Sequence, residues 1–184
     1  MRIVAGKYRH RLISYPENNP DIRPTKDMVR EGVFSALGDI SNKKVLDLFS
    51  GSGSMGIEAL SRGASLCYFV DKNELSIKVT KKNCLTLGID TARVMHMDYE
   101  DALSSFINRK EIFDIIILDP PYASGYYNKI IKMIYDNGLI SDNGVIVVES
   151  EGNISYEDFD FIKSKRYHYG KTYVDLLRRN TLWK

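Results

Sequence analysis

The sequence predicts an α/β fold: a doubly wound, mostly parallel seven-stranded sheet with an antiparallel carboxyl-terminal edge hairpin, preceded by a small amino-terminal β-hairpin. Three observations carry this reading. From Lys44 onward, short apolar runs alternate with stretches of helical spacing, the order that gives parallel strands with helices on both faces. A glycine-rich turn joins the first such strand to the first such helix. The tail then abandons the alternation for two strand-like runs around a single glycine.

Taken in order, "MRIVAGKYRHRLISYP" alternates loosely, as a short strand pair would, and "NNPDIRP" is loop. From Thr25 to Leu37 the apolar residues fall at 29, 33, 34 and 37, a helical spacing. Thr25 suits the helix cap and Gly38 its end. Strands are predicted at 44–49, 65–70, 92–97, 113–118 and 144–150. Helices fill the intervals: one after the glycine turn to about Arg62, then Glu74 to Leu87, Tyr99 to Asn108 and Tyr126 to Tyr135. The crossovers should be right-handed. The tail turns at Tyr169–Gly170–Lys171 and adds an antiparallel edge. With no repeat or linker, residues 1–184 read as a single domain, and residues 1–22 as a basic extension of it.

Composition narrows the class. The 184 residues suffice for one domain with a proper core. A 43% hydrophobic and 27% charged chain is an ordinary soluble globular protein. No window approaches the ~18 consecutive apolar residues of a membrane span, and the start lacks the apolar stretch of a signal peptide. The expected location is cytoplasmic. Cys67 and Cys84 lie in apolar surroundings and read as reduced thiols. His10, His96 and His168 are too scattered to suggest a metal site. Net charge is +2 but uneven: residues 1–30 hold seven Lys/Arg against three acids, +4, leaving −2 on the other 154. A basic arm on a slightly acidic body suits phosphate contact. A solvated terminus would look the same.

"VLDLFSGSGSMGIEAL" holds G-x-G-x-x-G at Gly51, Gly53 and Gly56, after a strand and opening a helix, the context of a Rossmann-like nucleotide site. An acid should follow about 20 residues on, at the end of the second strand, and Asp71 stands there, able to accept from both ribose hydroxyls of an adenosine. Asp47, four residues before the first glycine, would repel a pyrophosphate. It suits a ligand with an amino group and a positive sulfonium, which is S-adenosylmethionine. Asp98, just after the third strand, can accept from the adenine amine or cap the next helix.

The fourth strand ends in "LDPPY", 118–122. The prolines can simply terminate the strand. The chemical reading is that an exocyclic amine, its lone pair delocalised into a ring, needs acceptors that hold its two N–H bonds while the nitrogen pyramidalises. Asp119 offers a carboxylate oxygen and Pro120 a carbonyl, aimed in advance because Pro120 and Pro121 stiffen the chain. Tyr122 can stack on the base, worth roughly 1–3 kcal/mol. Such a pocket takes a flipped or single-stranded base.

Asp-Pro-Pro-Tyr at the end of a fourth strand resembles the motif of amino-group methyltransferases. Together with "RIVAGKYRHRLI", "RPTKDMVREGVFSAL", "VLDLFSGSGSMGIEALSRGA" and "YGKTYVDLL", in that order over nearly the whole chain, it resembles the bacterial small-subunit (16S) ribosomal RNA guanine-N2 methyltransferase family, the RsmD type. The resemblance implies a class I S-adenosylmethionine-dependent methyltransferase fold and methylation of one guanine in 16S ribosomal RNA, free or within the small subunit, with no membrane and no metal. It puts Asp119, Pro120, Pro121 and Tyr122 in catalysis. It puts Gly51, Gly53, Gly56 and Asp71 at the cofactor, and Thr25 near its methionine end, where a helix cap explains Thr25 equally well. Arg2, Lys7, Arg9, Arg11 and Arg23 would face RNA. His10 stands where the family pattern has glycine, which questions the hairpin turn. The alternatives are a DNA adenine-N6 or cytosine-N4 methyltransferase, a protein-glutamine methyltransferase, a nicotinamide-dependent oxidoreductase, and a silent RNA-binding module.

Overall fold

The computed structural model describes residues 1–15, 27–120, 126–152, 154–156, 159 and 162–179. In chain order its elements are α1 (Asp27–Leu37), β1 (Lys44–Asp47), α2 (Ser54–Ser61), β2 (Leu66–Asp71), α3 (Glu74–Leu87), β3 (Ala92–His96), α4 (Tyr99–Asn108), β4 (Phe113–Leu118), α5 (Tyr126–Asp136), β5 (Ile140–Ser150), β6 (Ile162–Tyr169) and β7 (Thr172–Arg179). The helix starts follow local chemistry. Asn73 caps α3 by accepting from the Leu75 and Ser76 amides, and Asp98 caps α4 by accepting from the Glu100 amide. Gly88 closes α3 at φ 68°.

The seven strands form one sheet in the order β3-β2-β1-β4-β5-β7-β6. β1 to β5 pair in parallel, and β7 pairs antiparallel with both β5 and β6. The expected α/β architecture and its antiparallel edge are present. Strand alternation splits the core. Val45, Ile115 and Ile117 pack with α1, α2 and α3, whereas Leu46, Ile116 and Leu118 pack with α4 and α5. The connections run outward in opposite directions from β1 and β4, so the sheet's switch point, where ligands of open α/β sheets bind, lies at their carboxyl ends.

The amino-terminal residues form a short antiparallel ribbon. Ile3 N–H donates to the Arg11 carbonyl at 2.9 Å, Ile13 N–H to the Met1 carbonyl at 2.9 Å, and Arg2 bridges Leu12. His10 takes the left-handed conformation itself, at φ 68°, so the turn keeps the geometry that glycine would serve at a cost of about 1 kcal/mol. The ribbon is bound tightly to α2. Val4 and Ala5 N–H donate to the two carboxylate oxygens of Glu58 at 2.8 and 3.0 Å, and Lys7 N–H to the Ser61 carbonyl at 2.7 Å. A Cβ on Gly6 would stand 1.8 Å from the Ser61 oxygen, so only glycine allows this approach.

Two strand boundaries and the place of one arginine differ from the sequence reading. β1 ends at Asp47 instead of residue 49, because the chain leaves the sheet for the glycine loop; Leu48 N–H still reaches the Ile117 carbonyl at 3.1 Å. β5 begins at Ile140 instead of residue 144. Phe113 pairs Ile140 but Ile115 pairs Val145, so the polar Ser141–Asn143 stretch bulges within a strand that reads as loop. Arg30, counted with the basic arm, is 1% exposed. It lies under the ribbon, donating to the Arg2 carbonyl at 2.6 Å and to Asp27 at 2.8 Å, and cannot face phosphate.

Candidate active site

The loop from Ser50 to Gly53 leaves β1 and enters α2 with Gly51 at φ 51° and Gly53 at φ 78°, both left-handed. Gly53 is the N-cap of α2 but has no side chain to cap with. Asp47 does that work from β1: its Oδ2 accepts from the Gly56 N–H at 3.0 Å. Gly56 itself lets α2 lie close on the sheet, since a Cβ there would sit 2.3 Å from the Phe69 ring. Asp71, at the end of β2, accepts from the Gly51 N–H through Oδ2 at 2.8 Å and from the Asn73 N–H through Oδ1 at 2.7 Å. The expected ribose acid therefore also braces the loop. Each of its oxygens keeps lone pairs for a ligand.

Asp98 follows β3 beside Asp71, whose carbonyl accepts from Met97 N–H at 3.1 Å. Its Oδ1 accepts from the Glu100 N–H at 3.0 Å, so the helix-cap role is in place. Asp119 follows β4, where Ile117 pairs Asp47 across the sheet. Pro120 beside it is buried. Pro121, Tyr122, Thr25 and Arg23 lie outside the described residues. Lys7, Arg9 and Arg11 are exposed on the ribbon, and Arg2 is exposed in an ion pair with Asp27 at 3.1 Å.

Electrostatics single out this end of the sheet. Asp47 is 3% exposed. Burial pushes its carboxyl up to about 7; the Gly56 amide opposes that rise, and the Asp119 and Asp71 carboxylates add to it. Asp119 is also raised, first by the protein crowded around it and then by the Glu151 carboxylate. The residue is nonetheless exposed, so water tempers the rise. The Ser50 hydroxyl in the loop is buried with no hydrogen-bond partner among the described residues.

Sequence reasoning missed three residues: Glu58, Arg30 and Glu151. Glu58 is fully buried on α2 and receives Arg62 Nε at 2.8 Å, with Arg30 Nε at 3.9 Å. Arg30 had a signal: with 33, 34 and 37 it completes the i, i+3, i+4, i+7 stripe of the buried face. Glu151, immediately after β5, had none, because only strand order places it next to Asp119.

The donor set fits S-adenosylmethionine. Left-handed glycines keep the loop backbone bare, a buried hydroxyl is unpartnered, and acids stand at the ends of β1, β2, β3 and β4. Such a surface favours a ligand that is cationic and rich in N–H and O–H donors, and disfavours a phosphate.

Comparisons with known proteins agree. The family model described as Conserved hypothetical protein 95 matches residues 1–178. Ribosomal RNA small subunit methyltransferase D of Escherichia coli (strain K12) is 36% identical over 152 residues, covering 82% of this chain and 75% of that protein. The structure of yhhF from Escherichia coli superposes with a TM-score of 0.82 at 28% identity over 97% of both chains. The fold extends to the Thermus thermophilus 16S rRNA N2 G1207 methyltransferase RsmC, solved with AdoMet and guanosine, at a TM-score of 0.70 and 19% identity over 89% of this chain and 45% of that one. Motifs, fold and relatives converge: the chain belongs to the Conserved hypothetical protein 95 family, the RsmD-type ribosomal RNA methyltransferases.

Proposed function

We propose that this chain methylates the exocyclic N2 amine of one guanine in 16S ribosomal RNA. As a member of its family it is an S-adenosylmethionine-dependent methyltransferase of small-subunit ribosomal RNA; the guanine amine is the finer step. The observation that carries it is Asp119 at the end of β4, beside Asp47 and the glycine loop, in an Asp-Pro-Pro-Tyr run.

When bound, the cofactor supplies an electrophilic methyl group on a sulfonium, whose sulfur keeps the electron pair of the broken bond. The chain's part is holding and orientation. Gly51, Gly53, Gly56 and Asp71 hold the adenosine, Asp98 its amine, and Asp47 and Thr25 the cationic methionine end. Asp119 and the Pro120 carbonyl accept the two N2 hydrogens, which turns the nitrogen lone pair out of the ring plane. Tyr122 stacks on the base and Pro121 stiffens the approach. The raised carboxyl of Asp119 suits it to take the amine proton, since basicity grows with pKa.

RNA is held by Arg2, Lys7, Arg9, Arg11 and Arg23, with residues 1–22 as the contact arm of one working domain. The ribbon tip is fixed at the far end of α2 from the glycine loop, about 12 Å away by helix rise. RNA held by the ribbon therefore continues at least a few nucleotides beyond the target base. No helix among the described residues is long and apolar enough to cross a membrane, and we place the reaction in the cytoplasm.

The test is methylation of total bacterial RNA with labelled cofactor, followed by nucleoside analysis. Label in N2-methylguanosine of small-subunit RNA is expected. Label in methylated adenine or cytosine, or in protein alone, overturns the reading.

A further inference from the structure

We infer that Glu151 reads the target base, accepting the N1–H of guanine beside the amine that Asp119 and Pro120 hold. The inference rests on the function proposed above and names the residue that makes it specific for guanine.

The placement follows from register. Leu118 of β4 pairs with Val148 of β5, and both side chains enter the core on the α4–α5 side. Ile117 and Val147 enter the opposite side, with α1 and α2. Carried one residue past Leu118 and Val148, that register sets Asp119 opposite Glu149 on the α2 side, and Glu151 follows one residue beyond the end of β5. The two carboxylates are near enough for Glu151 to raise the Asp119 carboxyl. Glu151 is exposed toward solvent, where a base can reach it.

The backbone around Glu151 is pinned. The Ser150 hydroxyl donates to the Gly152 carbonyl at 2.9 Å, and the Tyr127 hydroxyl to the Glu149 carbonyl at 3.0 Å. A few residues on, the Ile154 carbonyl accepts from Arg166 at 2.9 Å. Arg166 is itself clamped by both oxygens of the buried Asp175, at 2.7 and 2.8 Å, and Tyr156 adds a third bond to that carboxylate at 2.9 Å. These bonds fix the backbone at Glu149, Ser150 and Gly152, on either side of Glu151.

The chemistry selects the base. In guanine the ring atom next to the exocyclic amine is N1, which carries a hydrogen. In adenine and cytosine the corresponding atom carries a lone pair. A carboxylate at that point gains a charge-assisted hydrogen bond from guanine and meets a repelling lone pair from the other two. Sites built this way reject the base that lacks the donor far more strongly than shape alone does.

The experiment uses the full chain and a short RNA spanning the mapped target, with guanine or with 2,6-diaminopurine at that position. Both bases carry the N2 amine, but diaminopurine has a lone pair at N1. The unmodified protein should prefer guanine. Glu151→Gln, whose amide can donate to that lone pair, should cut the preference in kcat/KM by about tenfold or more. Glu151→Asp keeps the carboxylate and should keep the preference at a lower rate. Affinity for S-adenosylmethionine, measured by calorimetry, should be unmoved in both. The inference is overturned if Glu151→Gln retains the parental ratio, or if Glu151→Asp loses it equally. If the unmodified protein methylates no guanine amine, the proposed function fails and this inference with it; a guanine-methylating parent with an unmoved Glu151→Gln ratio removes this inference alone.

Discussion

Glu58 and Asp47 are both acids buried against α2, at 0% and 3% exposure, and the protein treats them oppositely. Glu58 receives two ribbon amides and Arg62, with Arg30 nearby. Asp47 receives one amide, stands among the Asp71 and Asp119 carboxylates, and has no cation within ion-pair distance among the described residues. Glu58 fastens the amino-terminal ribbon to the body. Asp47 is left with charge that the fold does not answer, which is the condition of a site awaiting a positive ligand. A buried charge the fold compensates is structural, and one it leaves uncompensated is reserved for function.

Several substitutions break or sharpen that contrast. The largest effect belongs to Glu58→Ala, which takes the acceptor from the Val4 and Ala5 amides and from Arg62, and a carboxylate from beside the buried Arg30. Removing one partner of a buried pair costs about 3–5 kcal/mol. Thermal unfolding should fall by about 10 °C for a chain of this size, and the ribbon amides should lose protection from hydrogen exchange.

Asp119→Ala should leave the melting temperature, cofactor affinity and RNA affinity near those of the parent while methyl transfer drops by about 10²–10³, the loss typical for one preorganised polar group. Full activity in that variant would remove Asp119 from the mechanism. The pH profile extends the test. Asp119 must be ionised to accept N–H, and its carboxyl is raised. The acid limb of kcat/KM should therefore lie above the pH of about 4 where an ordinary carboxylate titrates.

Asp47→Asn should separate stability from function. A carboxyl raised from 3.8 to about 7 opposes folding by nothing below about pH 4 and by up to about 4 kcal/mol above about pH 7, the penalty growing between. The ligand-free variant should therefore be more stable than the parent at neutral pH and equal to it in acid, by denaturant titration. Its amide oxygen still accepts from Gly56, yet its cofactor binding should weaken.

Smaller effects test the ribbon. Arg9→Ala and Arg11→Ala should each lower the slope of log affinity for RNA against log salt by about 1. An unchanged slope would make the ribbon purely structural. His10→Gly, at φ 68°, should stabilise the ribbon by at most about 1 kcal/mol.

What was legible in the sequence divides along the same line. Local signals were readable: helices Glu74–Leu87 and Tyr99–Asn108 and strand Phe113–Leu118 lie where periodicity and caps put them. So was the glycine loop, because G-x-G-x-x-G is a contiguous backbone requirement. Non-local consequences were not readable. Arg30 shares the buried-face spacing of α1 yet looked like one more charge of a basic arm, because the ribbon that covers it comes from elsewhere in the chain. Asp47 looked like a ligand acceptor alone, although it also caps α2 across the sheet. The Ser141–Asn143 bulge reads as loop because its polar residues face outward from a strand. Glu151 carried no mark until strand order set β5 beside β4.

The central claim, that the cleft acids are held under-neutralised for a cationic cofactor, is tested most directly by proton linkage. S-adenosylmethionine is titrated calorimetrically at about pH 6.5, near the Asp47 transition, in buffers of different ionisation enthalpy. A bound cation lowers the pKa of the acids around it, so the account predicts net proton release, seen as a binding enthalpy that changes with the buffer, and a smaller release in Asp47→Asn. The same enthalpy in every buffer would contradict it.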